Sequence, residues 1–195
     1  MKITIFGATS ATGKQLVERS LKAGHEVTAF VRDASKLQIT NDKLKVITGD
    51  ALNSQQVENA VKGSDAILST LGPKGKPMVM AAESTQNIVS AMEKHGVKRL
   101  VVISVAGVAV PQDQRKPGFV DGLLKFFLKD VFVDRENQLN ILQSSQVEWV
   151  AVRVPRLTDD AGTGSVNAFF WKPIPKHESD KGRCGRFYAE ANDGE

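Results

Sequence analysis

The opening run Lys2-Ile3-Thr4-Ile5-Phe6, followed by Gly7-Ala8-Thr9-Ser10-Ala11-Thr12-Gly13, constrains the fold more than any other stretch of the chain. A β-branched strand ends at a glycine. A loop of small residues then leads to Gly13 and a helical pattern. This geometry aims unpaired backbone N–H groups at one point, where a pyrophosphate can sit on a helix N-terminus. Gly7 permits the sharp exit from the strand, and Gly13 allows close packing of helix on sheet. The middle position of such loops is usually glycine and here is Ser10. Its hydroxyl can donate to phosphate, while its Cβ hinders close backbone approach. A tight turn that binds nothing is the bland alternative; the strand–helix alternation downstream argues against it.

That alternation runs through the chain. Lys2–Phe6, Glu26–Val31, Leu44–Thr48, Ala66–Ser69, Arg99–Ser104 and Glu148–Arg153 read as strands. Helical patterns span Thr12–Ala23, Gln55–Lys62, Pro77–Lys94 and the neighbourhood of Asp134–Ser144. The expected architecture is α/β, a doubly wound parallel sheet of Rossmann type, with strand order 3-2-1-4-5-6 and its ligand at the carboxyl ends of the strands. A chain of 195 residues with no linker or repeat suits one such domain, expected over 1–165, with an atypical tail over 166–195.

Composition narrows the setting. No apolar run approaches membrane-span length, and Met1-Lys2 leads straight into the strand rather than into a signal peptide. The single cysteine, Cys184, excludes an internal disulfide and suits a reducing cytoplasm. The net charge of +4 is spread along the chain, so an anionic cofactor is expected and nucleic acid is not.

The strand ends carry the candidate chemistry. Arg32 follows the second strand and Lys36 comes one helical turn later; cations there suit the 2′-phosphate of NADP(H). Asp33 keeps the alternative open, because a carboxylate at that point accepts from a plain ribose. Asp50 and Ala51 close the third strand, where Asp50 either meets the adenine amino group or caps the next turn. Leu71-Gly72 follows the fourth strand and should pass under the cofactor, with Lys74 and Lys76 beyond. Ser104 ends the fifth strand, where a nicotinamide would lie. Arg153 and Arg156 flank Pro155 at the end of the sixth, where one or both meet an anionic substrate or a cofactor phosphate, or else pair with Asp159 or Asp160. Pro155 is expected to shape the loop under the nicotinamide. Ser104 and Arg156 are the catalytic candidates; Gly7, Thr9, Ser10, Ala11, Thr12, Gly13, Arg32, Lys36, Asp50, Ala51, Leu71, Gly72, Ser104, Arg153 and Pro155 are the cofactor candidates. No Tyr-x-x-x-Lys pair occurs, because the single tyrosine is Tyr188. His25, His95 and His177 are isolated, so no metal site is expected.

Taken together, Ile5-Phe6-Gly7-Ala8-Thr9, Val31-Arg32-Asp33, Gly49-Asp50, Leu71-Gly72, Asn87-Ile88-Val89 with Met92, His95-Gly96-Val97 and Val150-Ala151-Val152 before Pro155 resemble the atypical short-chain dehydrogenase/reductase group. Within its NAD(P)-binding NmrA-like families the chain is most similar to the flavin reductase/biliverdin reductase B type, over residues 2 to about 164. The resemblance implies NADPH binding through Gly7, Thr9, Ser10, Thr12, Arg32, Lys36, Asp50, Ala51, Leu71 and Gly72. It further implies hydride transfer to a small acceptor, a flavin or linear tetrapyrrole, stacked on the nicotinamide. Two positions depart from it: the hydroxyl pair after the fifth strand reads Ser104-Val105, and Arg156 stands where a histidine is expected. These departures fit an alternative, a non-catalytic NADP(H) sensor that binds a protein partner, as NmrA-like regulators do.

From about Phe169 onward the sequence shows neither helical nor strand period, although a doubly wound domain should finish with a helix on the sheet. Codons can be chosen for Gly182–Glu195 such that the frame one base over reads ADVADFMLKQMTE, an amphipathic helix similar to this family's ending. The hypothesis is a frameshift near Phe170 that replaced or altered the last helix. Sequencing the gene tests it, since absence of an open helix-coding frame one base over removes the idea.

Overall fold

The computed structural model describes residues 1–72, 80–105 and 128–154, together with the backbone of 167–171 and 187–192. The first strand, β1 (Lys2–Phe6), is buried from Ile3 onward on both faces, as befits a strand in the middle of a parallel sheet. It pairs in parallel with β2 (Glu26–Val31) on one side and β4 (Ala66–Ser69) on the other. β3 (Leu44–Thr48) lies outside β2, while β5 (Arg99–Val105) and β6 (Glu148–Val154) continue beyond β4. The parallel order 3-2-1-4-5-6 is therefore the one expected, and the chain reverses direction of winding between β1 and β4.

Two apolar layers hold this sheet. On one face Ile3, Ile5, Val27, Ala29 and Val31 pack with Val17 of α1 (Ala11–Lys22). On the other, Phe6, Phe30, Ile67, Leu100, Val102, Trp149 and Ala151 meet α2 (Ser54–Val61), α3 (Ala81–His95) and α4 (Lys129–Ser144), which contribute Val57, Ile88, Met92, Leu139 and Leu142 among others. Each such large side chain withdrawn from water contributes about 1.5–3 kcal/mol. Helices α2, α3 and α4 thus share one face and α1 takes the opposite one, the outcome of crossovers of a single hand running outward in both directions from β1. No helix of the described residues is long and apolar enough to cross a membrane.

The α1 face of the sheet is less completely covered beyond β4. Registers Leu68↔Val101 and Val101↔Val150 carry a strip of Leu68, Val101, Ile103, Val150, Val152 and Val154 along that face, and all of these are only partly buried. Beside β6 the tail adds two strands, β8 (Phe187–Asn192) parallel to β6 and β7 (Asn167–Trp171) antiparallel to β8. The tail reads from sequence as lacking any strand period, and the structure differs. Strand propensity depends on what a segment pairs with, and the open edge of β6 is a template for added strands. No helix follows β6 among the described residues.

Candidate functional site

A cleft of about 220 Å³ opens at the carboxyl ends of β1, β2 and β4, lined by Gly7, Thr9, Ser10, Phe30, Val31, Arg32, Ala51, Thr70, Leu71, Gly72 and Met80. Its floor is the β1–α1 loop. Gly7 adopts φ +77°, and a Cβ there would lie 2.8 Å from the Thr70 hydroxyl and 3.0 Å from the Thr70 carbonyl carbon. A side chain is thus excluded twice, by backbone conformation and by space. At Gly13 a Cβ would overlap the Gly7 carbonyl oxygen and sit 2.9 Å from the Ala8 Cα, so the helix packs directly against the loop it leaves.

Hydrogen bonds fix the loop in this shape. Ser10 N–H donates to the Gly7 carbonyl (2.9 Å), and the Ser10 Oγ accepts from Gly13 N–H (2.9 Å) as the N-cap of α1. Lys14 N–H is taken by the Ser10 carbonyl. Among the first-turn donors of α1, these bonds spare the Ala11 and Thr12 amides, which suit an anionic oxygen. Ser10 therefore does a job that sequence did not show: it shapes the helix start. Thr70, which sequence reasoning passed over, donates its hydroxyl toward the carbonyls of Phe6 (3.2 Å) and Gly7 (3.0 Å) and so ties the end of β4 to the loop. A hydroxyl directly after a strand that flanks a glycine loop is the signal that marks it.

On the β2–β3 side, Arg32 lines the cleft, is exposed, and has no ion-pair partner among the described residues. Asp33 is engaged elsewhere. It caps the 3₁₀ turn Ala34–Lys36, accepting from the Ser35 hydroxyl (2.6 Å) and the Ser35 amide (3.1 Å), and pairs with Lys36 at 3.2 Å. Its bonds to Ser35 and Lys36 hold its carboxyl below the ordinary value. Lys36 is thereby directed to Asp33 and is not among the residues lining the cleft. Ala51 is buried against the cleft, whereas Asp50 accepts from Leu52 N–H at 3.0 Å in a local turn and is likewise absent from the lining.

On the opposite side, Leu71 and Gly72 border the cleft as expected. Ser104 does not. Its side chain is fully buried on the same sheet face as Leu100 and Val102, and its hydroxyl finds no hydrogen-bond partner among the described residues. Val105, at the end of β5, is only partly buried and packs against the cluster of Leu100 and Val102. Arg153 sits in register beside Ser104, also buried and outside the lining. Pro155 and Arg156, like Lys74, Lys76, Asp159 and Asp160, lie outside the described residues.

This cleft fits a dinucleotide. It lies where the winding reverses between β1 and β4. Its floor is a loop whose Gly7 and Gly13 leave no room for a Cβ, and Arg32 brings a guanidinium to one side, while Ala11, Thr12 and Gly13 are not among the lining residues. Residues 7–179 match the model of the NAD(P)H-binding family, and the chain belongs to that family. Its expected cofactor class, a nicotinamide dinucleotide, follows. The chain is 27% identical over 169 residues to the uncharacterized protein YwnB of Bacillus subtilis, covering 85% of this chain and 78% of that one. Among solved structures, the Escherichia coli O157:H7 protein ChuY, described as an anaerobilin reductase, superposes with a TM-score of 0.73 at 18% identity, covering all of this chain and 99% of that one. A short-chain dehydrogenase/reductase of Veillonella parvula solved in complex with NADP gives a TM-score of 0.67 at 16% identity, with 97% and 81% covered. At these identities the two structures share the fold.

Proposed function

We propose that the protein is an NADPH-dependent reductase that passes a hydride to a flavin, a linear tetrapyrrole or a similar small acceptor. The observation that carries the reading is the contrast between Arg32 and Asp33. The guanidinium lines the cleft beside the adenosine side, while the carboxylate that would select a plain ribose is held by its own turn and by Lys36. The β1–α1 loop, with Gly7, Thr9 and Ser10 lining the cleft and the Ala11 and Thr12 amides unspent at the helix start, would hold the pyrophosphate, and Phe30 and Ala51 would give the adenosine an apolar wall. When bound, NADPH supplies the hydride.

The buried Ser104 supports the acceptor class. With that hydroxyl sealed in the sheet and no Tyr-x-x-x-Lys pair in the sequence, no proton relay lines the cleft among the described residues, which favours an acceptor that is redox-active in itself. Membership of the NAD(P)H-binding family, the resemblance carried by the sequence motifs and the fold shared with an anaerobilin reductase support this reading. The same buried Ser104, with Val105 after it, favours the second reading, a cofactor-binding sensor with a protein partner. Calorimetry with NADPH and NADH, beside NADPH oxidation with FMN and with biliverdin, separates them. Turnover with either acceptor supports the reductase. Binding tighter than micromolar with no turnover supports the sensor, and no binding of either dinucleotide sinks both.

A further inference from the structure

The buried faces of α4 and of the sheet enclose two charged side chains that the cofactor reading leaves unused. Asp134 and Arg135 are adjacent in sequence and buried, at 7% and 3% exposure. Asp134 projects at the start of α3, whose own cap position, Met80, offers no side-chain bond. Its carboxylate accepts from the amides of Met80 (3.1 Å), Ala81 (2.8 Å) and Ala82 (2.9 Å). Arg135 reaches the other way. One terminal nitrogen donates to the Leu71 carbonyl at 3.0 Å, and the second donates to the Ile103 carbonyl at 3.1 Å and to Gln138 Oε1 at 2.9 Å. Gln138 in turn donates to the Thr85 hydroxyl of α3 at 3.0 Å.

These bonds converge on one segment. Leu71 and Gly72 are the last described residues before the β4–α3 connection, Met80 is the first after it, and all three line the cleft. Two consecutive residues of α4 therefore hold the two ends of a single connection, one through a carbonyl and the other through amides. A Cβ at Gly72 would lie 3.7 Å from the Arg135 terminal nitrogen, which places the guanidinium directly behind the wall of the cleft. Burial draws the Arg135 guanidinium below the usual arginine range, while the Asp134 charge opposes the shift. Sealing two charges in a helix interface is expensive, and apolar side chains would join α4 to the sheet at lower cost. The pair does what apolar residues cannot: it bonds to named backbone atoms.

We infer that Asp134 and Arg135 are positioning residues for the cofactor, acting through the backbone they hold: they set the wall of Leu71, Gly72 and Met80, against which the half of the dinucleotide beyond the pyrophosphate would lie. This rests on the cofactor reading above. Arg32 and Ala51 stand across β1, so the adenosine half should be indifferent to the pair. The test is calorimetry of two ligands, NADP⁺ and adenosine 2′,5′-bisphosphate, with wild type, Arg135→Met, Arg135→Lys and Asp134→Asn, each checked for folding by circular dichroism. Arg135→Met is expected to weaken NADP⁺ by about tenfold and the bisphosphate by less than about twofold, the split that a wall specific to one half demands. Arg135→Lys should not rescue, because an ammonium lacks the planar fork that spans the Leu71 and Ile103 carbonyls. Asp134→Asn keeps the volume and should give the same split at about threefold; it decides the matter if Arg135→Met does not fold. Equal loss for both ligands, loss for neither, or full rescue by lysine overturns the inference. Failure of wild type to bind either ligand overturns the cofactor reading and this inference with it.

Discussion

On the β2–β3 bank of the cleft, side chains are fixed by neighbours close in sequence: Asp33 by Ser35 and Lys36, Asp50 by Leu52. On the β4 bank the fixing groups come from far away, with Asp134 bonding 54 residues back to Met80 and Arg135 bonding 64 residues back to Leu71. The polar side chains of the first bank, Arg32, Asp33 and Asp50, reach water and adjust at small cost. The second is buried and has two discrete conditions, bonded or broken, because an unpaired charge there has no solvent to fall back on. Under the reading proposed above, selectivity between cofactors would fall to the adaptable bank and placement to the rigid one.

Breaking the loop that joins the banks should have the largest effect. Gly13→Ala drives a methyl into the Gly7 carbonyl, a backbone atom that cannot swing aside. A loss of about 3 kcal/mol is expected, seen as a fall in Tm of roughly 6–12 °C, together with loss of NADPH binding on both banks. Arg32→Ala should then damage one bank alone. A charge-assisted bond is worth about 1.5–3 kcal/mol, so NADPH affinity should fall about tenfold to a hundredfold by calorimetry. NADH affinity should stay unchanged, and equal losses for the two would show that Arg32 does not read the 2′-phosphate. Thr70→Val removes the bond from β4 to the loop and should cost about 1 kcal/mol in urea unfolding, weakening NADPH and NADH alike.

Two smaller effects sharpen the contrast. Ser10→Gly should cost only a few tenths of a kcal/mol, since glycine is a tolerable N-cap, and cofactor affinity should hold or improve. A marked loss of affinity would show that the hydroxyl itself meets the phosphate. The last concerns acid. The Asp33 carboxyl is held low in the folded chain, so its contribution to stability is present above its unfolded value of about 3.8 and is lost as pH falls through the folded value. Asp33→Asn should remove that part of the acid dependence in urea melts between pH 2 and 7. The change should be small, because exposed ion pairs are screened.

The two banks also differ in how much of them sequence reveals. Strand order and the Gly7–Gly13 loop are legible because they rest on local period and glycine placement, and Arg32 is legible because it directly follows β2. The roles of Lys36 and Ser104 are not. Whether Lys36 turns to the cleft or to Asp33 depends on a short 3₁₀ turn, and the face taken by Ser104 depends on where the alternation of β5 falls relative to the helices. Asp134 and Arg135 were invisible as site residues because their partners are distant, yet a signal exists. Val131, Asp134, Arg135, Gln138, Leu139 and Leu142 make one buried helical stripe in α4, and charged residues inside such a stripe call for a buried partner.

The central place of β1 has a consequence for synthesis. Its second neighbour is β4, and the Gly7 carbonyl meets Thr70 across 63 residues of sequence. At about 5–20 residues per second, roughly 3–13 s pass after Gly7 is made before Thr70 exists. During that interval β2 and β3 can already pair, while the far edge of β1 stands bare with Ile3 and Ile5 beside it. The nascent half-sheet is then a ready template for another chain's strand. The residues of β1 are made well before the partner that completes them, and the cleft they floor is finished only when β4 arrives.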